Sequence, residues 1–590
     1  MTLIAEVESL RAEIPPVKAP QLKKRKLDRV TRLILIAIVL IIAALVLWPL
    51  YSILREGFSA QGLEVLGSLS SPTTLRIIGN TLLLGAVVGA GGTLVGFIMA
   101  YAQARVQFRG KRLLHLIALL PIVSPPFAVA TAFITLFSRN GIISSGVFGL
   151  TPNVYGLPGL SFVLMFSFFP VAYMNMLGML RNLDPSLDEA SASLGATRFK
   201  TFWRVTVPML LPGFAASFLL LFVEAIADLA NPLVLGGNFT VLSTRAYMAI
   251  NGEFNVPGAS AYAIMLLVPA LLVFLVQRYW VSRTNVTTVT GKPAGRVSLI
   301  TSPLARIPIL TFVGLVITTI VLIYGTVAVG GFVSYLGVDN TFTLANYQYI
   351  LGGIGSDAIL TTTLLAVVAT PIAAVIGMTV SWLVVRKLTK GSGAMDFLAM
   401  LGLAVPGTVL GIGYAVAYNK AWIVGDYMLF PALAGGAAIL GGTVGIVMVF
   451  VTRSLPTSVR SGVAAIQQIS PAIDEAATSL GANSVTTFRT ITLPLIRAAL
   501  LTGLTYAFAR SMTTLSPIIF ITTPQTKIMT SQILGSVESG KFGIAFAYCS
   551  VLIILVMSVI GLISFLTSDK FYRIASAWRW RETIQQPKGR

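Results

Sequence analysis

Asp184-Pro185-Ser186-Leu187-Asp188-Glu189-Ala190-Ser191-Ala192-Ser193-Leu194-Gly195-Ala196 returns 286 positions later as Ser470-Pro471-Ala472-Ile473-Asp474-Glu475-Ala476-Ala477-Thr478-Ser479-Leu480-Gly481-Ala482, with eight of thirteen positions identical. Each copy reads as a short helix. Asp184 or Ser470 is the N-cap, the proline takes the first helical position, and the acidic pair lies near the positive end of the helix dipole. Gly195 and Gly481 stop the helix. A second short helical stretch follows in each copy and ends at Pro208 or Pro494, just before a long apolar run. A polar, conformationally specified loop that occurs twice implies a chain of two like halves.

Composition sets the class of those halves. Hydrophobic residues make up 55% of the chain and charged residues 11%, where soluble domains carry about a quarter charged. This is an all-α polytopic membrane protein. With one cysteine, Cys549, and one histidine, His115, no disulfide can close within the chain, and thiolate or imidazole metal sites are excluded. His115 opens an apolar span and reads as a hydrogen-bonded packing residue, so no Ser/His/Asp set can be assembled. The net charge of +21 sits in the connections between apolar runs. It therefore serves membrane orientation, and no nucleic-acid partner is expected.

Twelve runs of spanning length can be marked, about Leu33–Leu54, Asn80–Ala104, Leu113–Phe137, Gly156–Leu180, Met209–Leu233 and Pro257–Val281, then Ile307–Val333, Ile359–Val385, Phe397–Tyr418, Pro431–Val451, Leu495–Ile519 and Ile544–Leu566. The first lacks a small-residue cleavage site and reads as a retained span. Basic connections (Arg105, Arg109, Lys111 and Arg112; Arg278, Arg283, Lys292 and Arg296; Arg386, Lys387 and Lys390) alternate with connections poor in Lys and Arg, which places both termini and both duplicated loops in the cytoplasm. Residues 1–32 form a basic tail whose Lys23, Lys24, Arg25 and Lys26 can meet anionic lipid. Residues 33–282 form a first six-span domain, 283–305 a linker, 306–567 a second six-span domain and 568–590 a basic tail. Six spans per half give a parallel tandem repeat about an axis along the membrane normal. Thr81-Leu82-Leu83 pairs with Thr363-Leu364-Leu365, and Pro125 with Pro406.

Inside the membrane, ionisable residues mark pathways or interior partners. Glu224, Asp228 and Asn231 fall at i, i+4 and i+7, one face if the fifth span is a continuous helix. The 286-residue offset lays Glu224 on Arg510 and Asp228 on Thr514, beside Thr513. Glu224 and Arg510 either pair across the seam between halves or line the pathway. Glu224 and Asp228 are also candidate transient metal contacts, because hard cations take carboxylate oxygen.

The duplicated Asp-Glu-Ala-x-x-x-Leu-Gly-Ala, followed by Val-Pro or Leu-Pro and a membrane helix, resembles the EAA loop of membrane permeases in binding-protein-dependent ABC importers. The resemblance covers both halves. It implies that Asp188, Glu189, Ala190 and Gly195, with Asp474, Glu475, Ala476 and Gly481, form coupling helices that dock on two copies of an ATP-hydrolysing subunit. Glu189 and Glu475 either meet basic groups there or stabilise their own helices. It implies a periplasmic binding protein, docking on outer loops near 231–255 and 521–542, and a bacterial inner-membrane location. No Gly-x-x-x-x-Gly-Lys-Ser/Thr occurs in this chain, so ATP and Mg are expected in the partner and the chain is not itself an enzyme. The fused halves and the segments Asp228-Leu229-Ala230-Asn231-Pro232 and Met512-Thr513-Thr514-Leu515-Ser516-Pro517 look most similar to the ferric-iron group, which implies Fe(III) as cargo. Related fused permeases are similar to importers of sugar phosphates, phosphonates, thiamine or polyamines, and Arg510 suits an anion. A twelve-span secondary transporter is the alternative of another class, and it has no use for two docking loops.

Overall fold

The computed structural model describes residues 28–279, 299–424 and 426–567. The cluster Lys23 to Lys26, most of linker 283–305 and the tail 568–590 lie outside the described residues. The first half runs α1 (Arg29–Gly57), α2 (Pro72–Arg105), α3 (Lys111–Val123), α4 (Pro126–Phe137), α5 (Leu157–Asn182), α6 (Ser186–Ser193), α7 (Arg198–Ala227), α8 (Ala230–Leu235), α9 (Leu242–Asn251) and α10 (Val256–Tyr279). The second runs α11 (Pro303–Gly330), α12 (Ile354–Trp382), α13 (Ser392–Ala404), α14 (Gly407–Tyr418), α15 (Thr443–Gln467), α16 (Pro471–Ser479), α17 (Arg497–Thr513), α18 (Met529–Glu538) and α19 (Phe542–Thr567). Two hairpins interrupt it, β1 (Val333–Tyr335) with β2 (Asp339–Phe342), and β3 (Trp422–Val424) with β4 (Tyr427–Phe430). Among the described residues nine helices are long and apolar enough to cross a membrane, or twelve spans if each of three bent pairs counts as one.

The bent pairs correct the sequence reading. The third span is two helices, α3 and α4, that meet at 106°, and its counterpart α13 and α14 meet at 99°. The cause is proline. Ser124 precedes Pro125-Pro126 and Val405 precedes Pro406, and both preceding residues are extended, with ψ of 150° and 123°, because the proline ring disfavours helix at the residue before it. In the other direction, the stretch before Pro208 does not end there. Pro208 follows a π-helical turn, Phe202–Thr206, whose wider hydrogen-bond spacing accommodates the missing N–H, so α7 runs unbroken from Arg198. The fifth span also stops earlier than expected, at Ala227. The tenth starts later than Pro431 and runs past Val451 to Gln467.

Within each half, the second span packs on the fourth through small residues, as membrane helices do in the absence of a hydrophobic drive between them. A Cβ on Gly96 would sit 2.7 Å from Ala172 Cβ, and one on Gly377 2.5 Å from Ser458 Cβ. Between halves, the first spans are exchanged. A π-helical turn at Ala43–Leu47 of α1 turns backbone carbonyls away from their usual partners. Tyr418 donates to Ala44 O at 2.6 Å and Tyr414 to Leu45 O at 2.8 Å, both from α14 of the second half. Reciprocally, Tyr324 of α11 donates to Ser124 Oγ at 2.8 Å, at the α3–α4 elbow of the first half.

Candidate functional site

Both duplicated loops fold as short helices; α16 begins at Pro471 as expected, whereas α6 begins at Ser186, one residue after Pro185. Asp184 Oδ1 accepts from Ser186 N at 3.0 Å and Ser470 Oγ from Ala472 N at 3.4 Å, satisfying N–H groups at the helix start. At the other end Gly195 and Gly481 have φ of 77° and 85°. Ala196 N reaches Ser191 O and Ala482 N reaches Ala477 O, both at 3.0 Å, closing α6 and α16 with a left-handed cap. Glu189, Ala190, Glu475 and Ala476 are exposed, and the leucine at each helix end, Leu194 and Leu480, is 88% exposed. Asp188 and Asp474 are turned inward instead. Asp188 Oδ2 lies 2.5 Å from Arg105 Nη1, and Asp474 Oδ2 lies 3.1 Å from Arg386 Nε. Arg105 closes α2, and Arg386 lies in the π-helical turn that continues α12. Each loop helix is thereby ionically tied to the second span of its own half as well as covalently joined to the fifth.

At the far ends of those fifth spans lies a cavity of about 540 Å³, lined from both halves. Glu224 and Arg510 face it and each other, with Arg510 Nη2 3.5 Å from Glu224 Oε1 and side-chain exposures of 27% and 28%. Thr513 and Thr514 line it too, and their hydroxyls donate to carbonyls one turn back, Ala509 O at 3.0 Å and Arg510 O at 2.5 Å. Their oxygens remain free to accept. The expectation of Glu224, Asp228 and Asn231 on one helix face is corrected, because α7 ends before Asp228, which is extended with ψ of 136°. The carboxylate that was read as a mid-helix residue is a cap. Asp228 Oδ2 accepts from Asn231 N and from Asn231 Nδ2, each at 2.9 Å, the side-chain-to-N3 pattern that starts a new helix. Because the carboxylate can only accept, this contact fixes the Asn231 amide with Nδ2 toward Asp228. In the second half Thr514 is the equivalent break, with ψ of 126°.

The two breaks are held in the same way. Ser243 donates to Asp228 O at 2.8 Å and Thr530 to Thr514 O at 3.1 Å. Next to them Leu242 N donates to Thr81 Oγ1 at 2.9 Å and Met529 N to Thr362 Oγ1 at 2.8 Å. Thr81 and Thr362 belong to the second spans. The second span of each half thus contacts the duplicated loop at one end and the discontinuity at the cavity at the other.

Three contributors carry no site role in the sequence reading. Arg105 and Arg386 appear in the sequence as part of the general basic excess of the connections, with nothing local to single them out. Arg453 falls just beyond the apolar run Pro431–Val451; in the structure it is inside α15 and lines the cavity. The 286-residue offset lays it on Ser167, which also lines the cavity, and that alignment was the available signal. Among the described residues no group of three or more His, Cys, Asp or Glu is placed to hold a metal ion.

The sequence model of the family "Binding-protein-dependent transport system inner membrane component" matches residues 92–286 and 371–573, once in each half. The chain is 34% identical over 550 residues to the ferric transport system permease protein FbpB of Actinobacillus pleuropneumoniae, covering 91% of this chain and 78% of that protein. It is 33% identical over 509 residues to the putative ferric transport system permease protein FbpB 1 of Haemophilus influenzae, covering 84% and 78%. The sulfate transport system permease protein CysT of Escherichia coli is 26% identical over 238 residues, 40% of this chain and 86% of that protein. With two matches in register with its two halves, the chain belongs to the family of inner-membrane components of binding-protein-dependent transport systems.

Proposed function

We propose that this chain forms the translocation pathway of an ATP-driven importer for ferric iron, with both halves supplied by one polypeptide. The observation that carries the reading is the cavity shared by Glu224 and Arg510 at the ends of the two helices that leave the duplicated loops. In this reading α6 and α16 are coupling helices in the cytoplasm, each docked on one of two ATPase subunits. Their exposed Leu194 and Leu480 are apolar points that a partner cleft would cover, and Glu189 and Glu475 are left to face it. ATP and Mg are bound by that partner. A periplasmic binding protein delivers the cargo, and alternating access follows as the ATPases close and the two halves reorient around the cavity. The ferric assignment follows the similarity to ferric transport permeases and the oxygen donors that Glu224, Asp228, Thr513 and Thr514 bring to an otherwise largely apolar cavity, which suit a hard cation.

The test is reconstitution in proteoliposomes with a candidate ATPase subunit and a ferric-iron-loaded periplasmic binding protein, followed by uptake of labelled ferric iron. ATP-dependent accumulation is expected with the native chain. Leu194→Asp with Leu480→Asp should abolish both ATPase retention and uptake while the protein stays in the membrane. Retention of the ATPase by that variant would overturn the coupling assignment, and uptake of other solutes in place of iron would overturn the cargo.

A further inference from the structure

Arg453 is the charge in the cavity that the pathway reading leaves without a partner. It lies on α15, and among the described residues no carboxylate makes a salt bridge to it. Its Nη1 reaches Gly402 O and Val405 O at the end of α13, both at 3.4 Å, and its Nε is buried without an acceptor. Two long bonds to neutral carbonyls do not offset a guanidinium charge inside a bundle. An ionisable group held there unpaired marks a ligand or a pathway. Of the neighbouring carboxylates, Asp228 is engaged with Asn231, and Glu224 makes its ion pair with Arg510 while its field also reaches Arg453.

We propose that Arg453 and Arg510 form a binding site for a small oxyanion, and that Glu224 is a tethered substitute for that anion while the site is empty. The inference rests on the reading of this cavity as the translocation pathway. A guanidinium presents donors in a planar fork that matches the oxygens of phosphate or carboxylate. Both arginines line one cavity with room for such an ion. The Glu224–Arg510 contact is loose at 3.5 Å, and both side chains are open to the cavity at 28% and 27% exposure, so an incoming anion can take over Arg510 without first unpacking a buried pair. The site belongs to the fused chain as a whole. Arg510 and Arg453 come from the second half, and the competing carboxylate comes from the first. The anion arrives either free or as the outer ligand of a ferric complex; in the second case the cation reaches the cavity already sheathed in negative oxygen.

The experiment is equilibrium dialysis of labelled inorganic phosphate against the full chain in zwitterionic lipid nanodiscs, without ATPase or binding protein. One saturable site per chain is expected. Arg453→Gln should weaken it at least tenfold, and Arg453→Lys, which keeps the charge and loses the fork, should weaken it less. Glu224→Gln should tighten binding about threefold or more, a gain that misfolding cannot produce. Binding no greater than that of empty nanodiscs, or binding that Glu224→Gln leaves unchanged or weakens, would overturn the site. Displacement of the label by citrate alone identifies the free anion as the ligand, whereas displacement by ferric citrate where citrate fails identifies the anion as part of a metal complex. Because no pump partner is present, ATP-driven iron uptake by a chain that ignores phosphate removes this site alone, and phosphate binding by a chain that carries no iron removes the cargo assignment alone.

Discussion

At Gly96 there is no room for a side chain, since a methyl group would overlap Ala172 Cβ and the backbone nitrogen of Tyr173, each 2.7 Å away. Gly178, on the partner helix α5, has nothing within 4 Å of the corresponding position. The contrast separates close packing from helix propensity. Gly96→Val should destabilise the chain by about 1–3 kcal/mol, the usual cost of overpacking, and Gly178→Ala should be neutral or stabilising by up to about 1 kcal/mol. Thermal unfolding in detergent followed by tryptophan fluorescence checks both, and equal effects at the two positions would refute the packing argument. Legibility at this scale depended on the repeat. Glu224 and Arg510 were visible as candidates either to pair across the seam or to line the pathway because one offset overlays them. Arg453 was not, because a charged residue next to the end of an apolar run reads as the flank of a span. Only the packing of α15 along its length shows that the helix carries the charge inward. Asp228 lines the cavity, but not from a continuous helix face: its capping bond to Asn231 competes with continuation of α7, and periodicity does not report that competition.

Each loop helix is joined to the cavity by two routes. One is covalent, through α7 or α17, and the other runs through the Arg105–Asp188 or Arg386–Asp474 pair into α2 or α12. Those pairs are largely shielded, with side-chain exposures of 7% and 23% in the first and 11% and 30% in the second, so losing one partner strands a charge that has little access to water. Arg105→Asp with Arg386→Asp should leave ATP hydrolysis by the assembled complex in place and lower uptake per ATP at least fivefold. Adding Asp188→Arg and Asp474→Arg should recover a large part of the loss. Measurement of hydrolysis and uptake in the same proteoliposomes decides it; no recovery in the fourfold variant would mean that the arginines act singly and do not serve as a tie. Of the elements themselves, the sequence made the duplicated loops and most spans legible, since apolar length and an αL glycine are local properties. The elbows at Ser124 and Val405 were missed although Pro125 and Pro406 had been paired. Within a long apolar run a proline can either bend a helix or be absorbed by a π-helical turn, as Pro208 is, and the sequence around it does not distinguish the two outcomes.

At the scale of the whole molecule, the two halves are not separable modules, because each completes the other. The first span of the first half is held by Tyr414 and Tyr418 of the second, and a methyl on Gly413 of α14 would sit 2.9 Å from Pro49 O of α1. The first span of the second half reaches back to Ser124, at the elbow that lines the cavity. Arg278 at the end of α10 pairs with Asp396 of α13 at 2.8 Å, and Glu224 and Arg510 meet between the halves. A membrane helix of twenty or more apolar residues can insert by itself, but among the described residues the side-chain donors to Ala44 O and Leu45 O come from the other half. Residues 1–290 and 291–590, expressed as two chains from one plasmid, should therefore assemble in the membrane and co-purify in equal amounts through a tag on either piece. Interhelical hydrogen bonds in membranes contribute about 0.6 kcal/mol each, so Tyr414→Phe with Tyr418→Phe should reduce recovery of the untagged piece by roughly a factor of ten. Pieces that insert but purify apart would show that the exchanged spans depend on the covalent connection, and equal recovery with both tyrosines removed would assign the assembly to the ionic contacts instead.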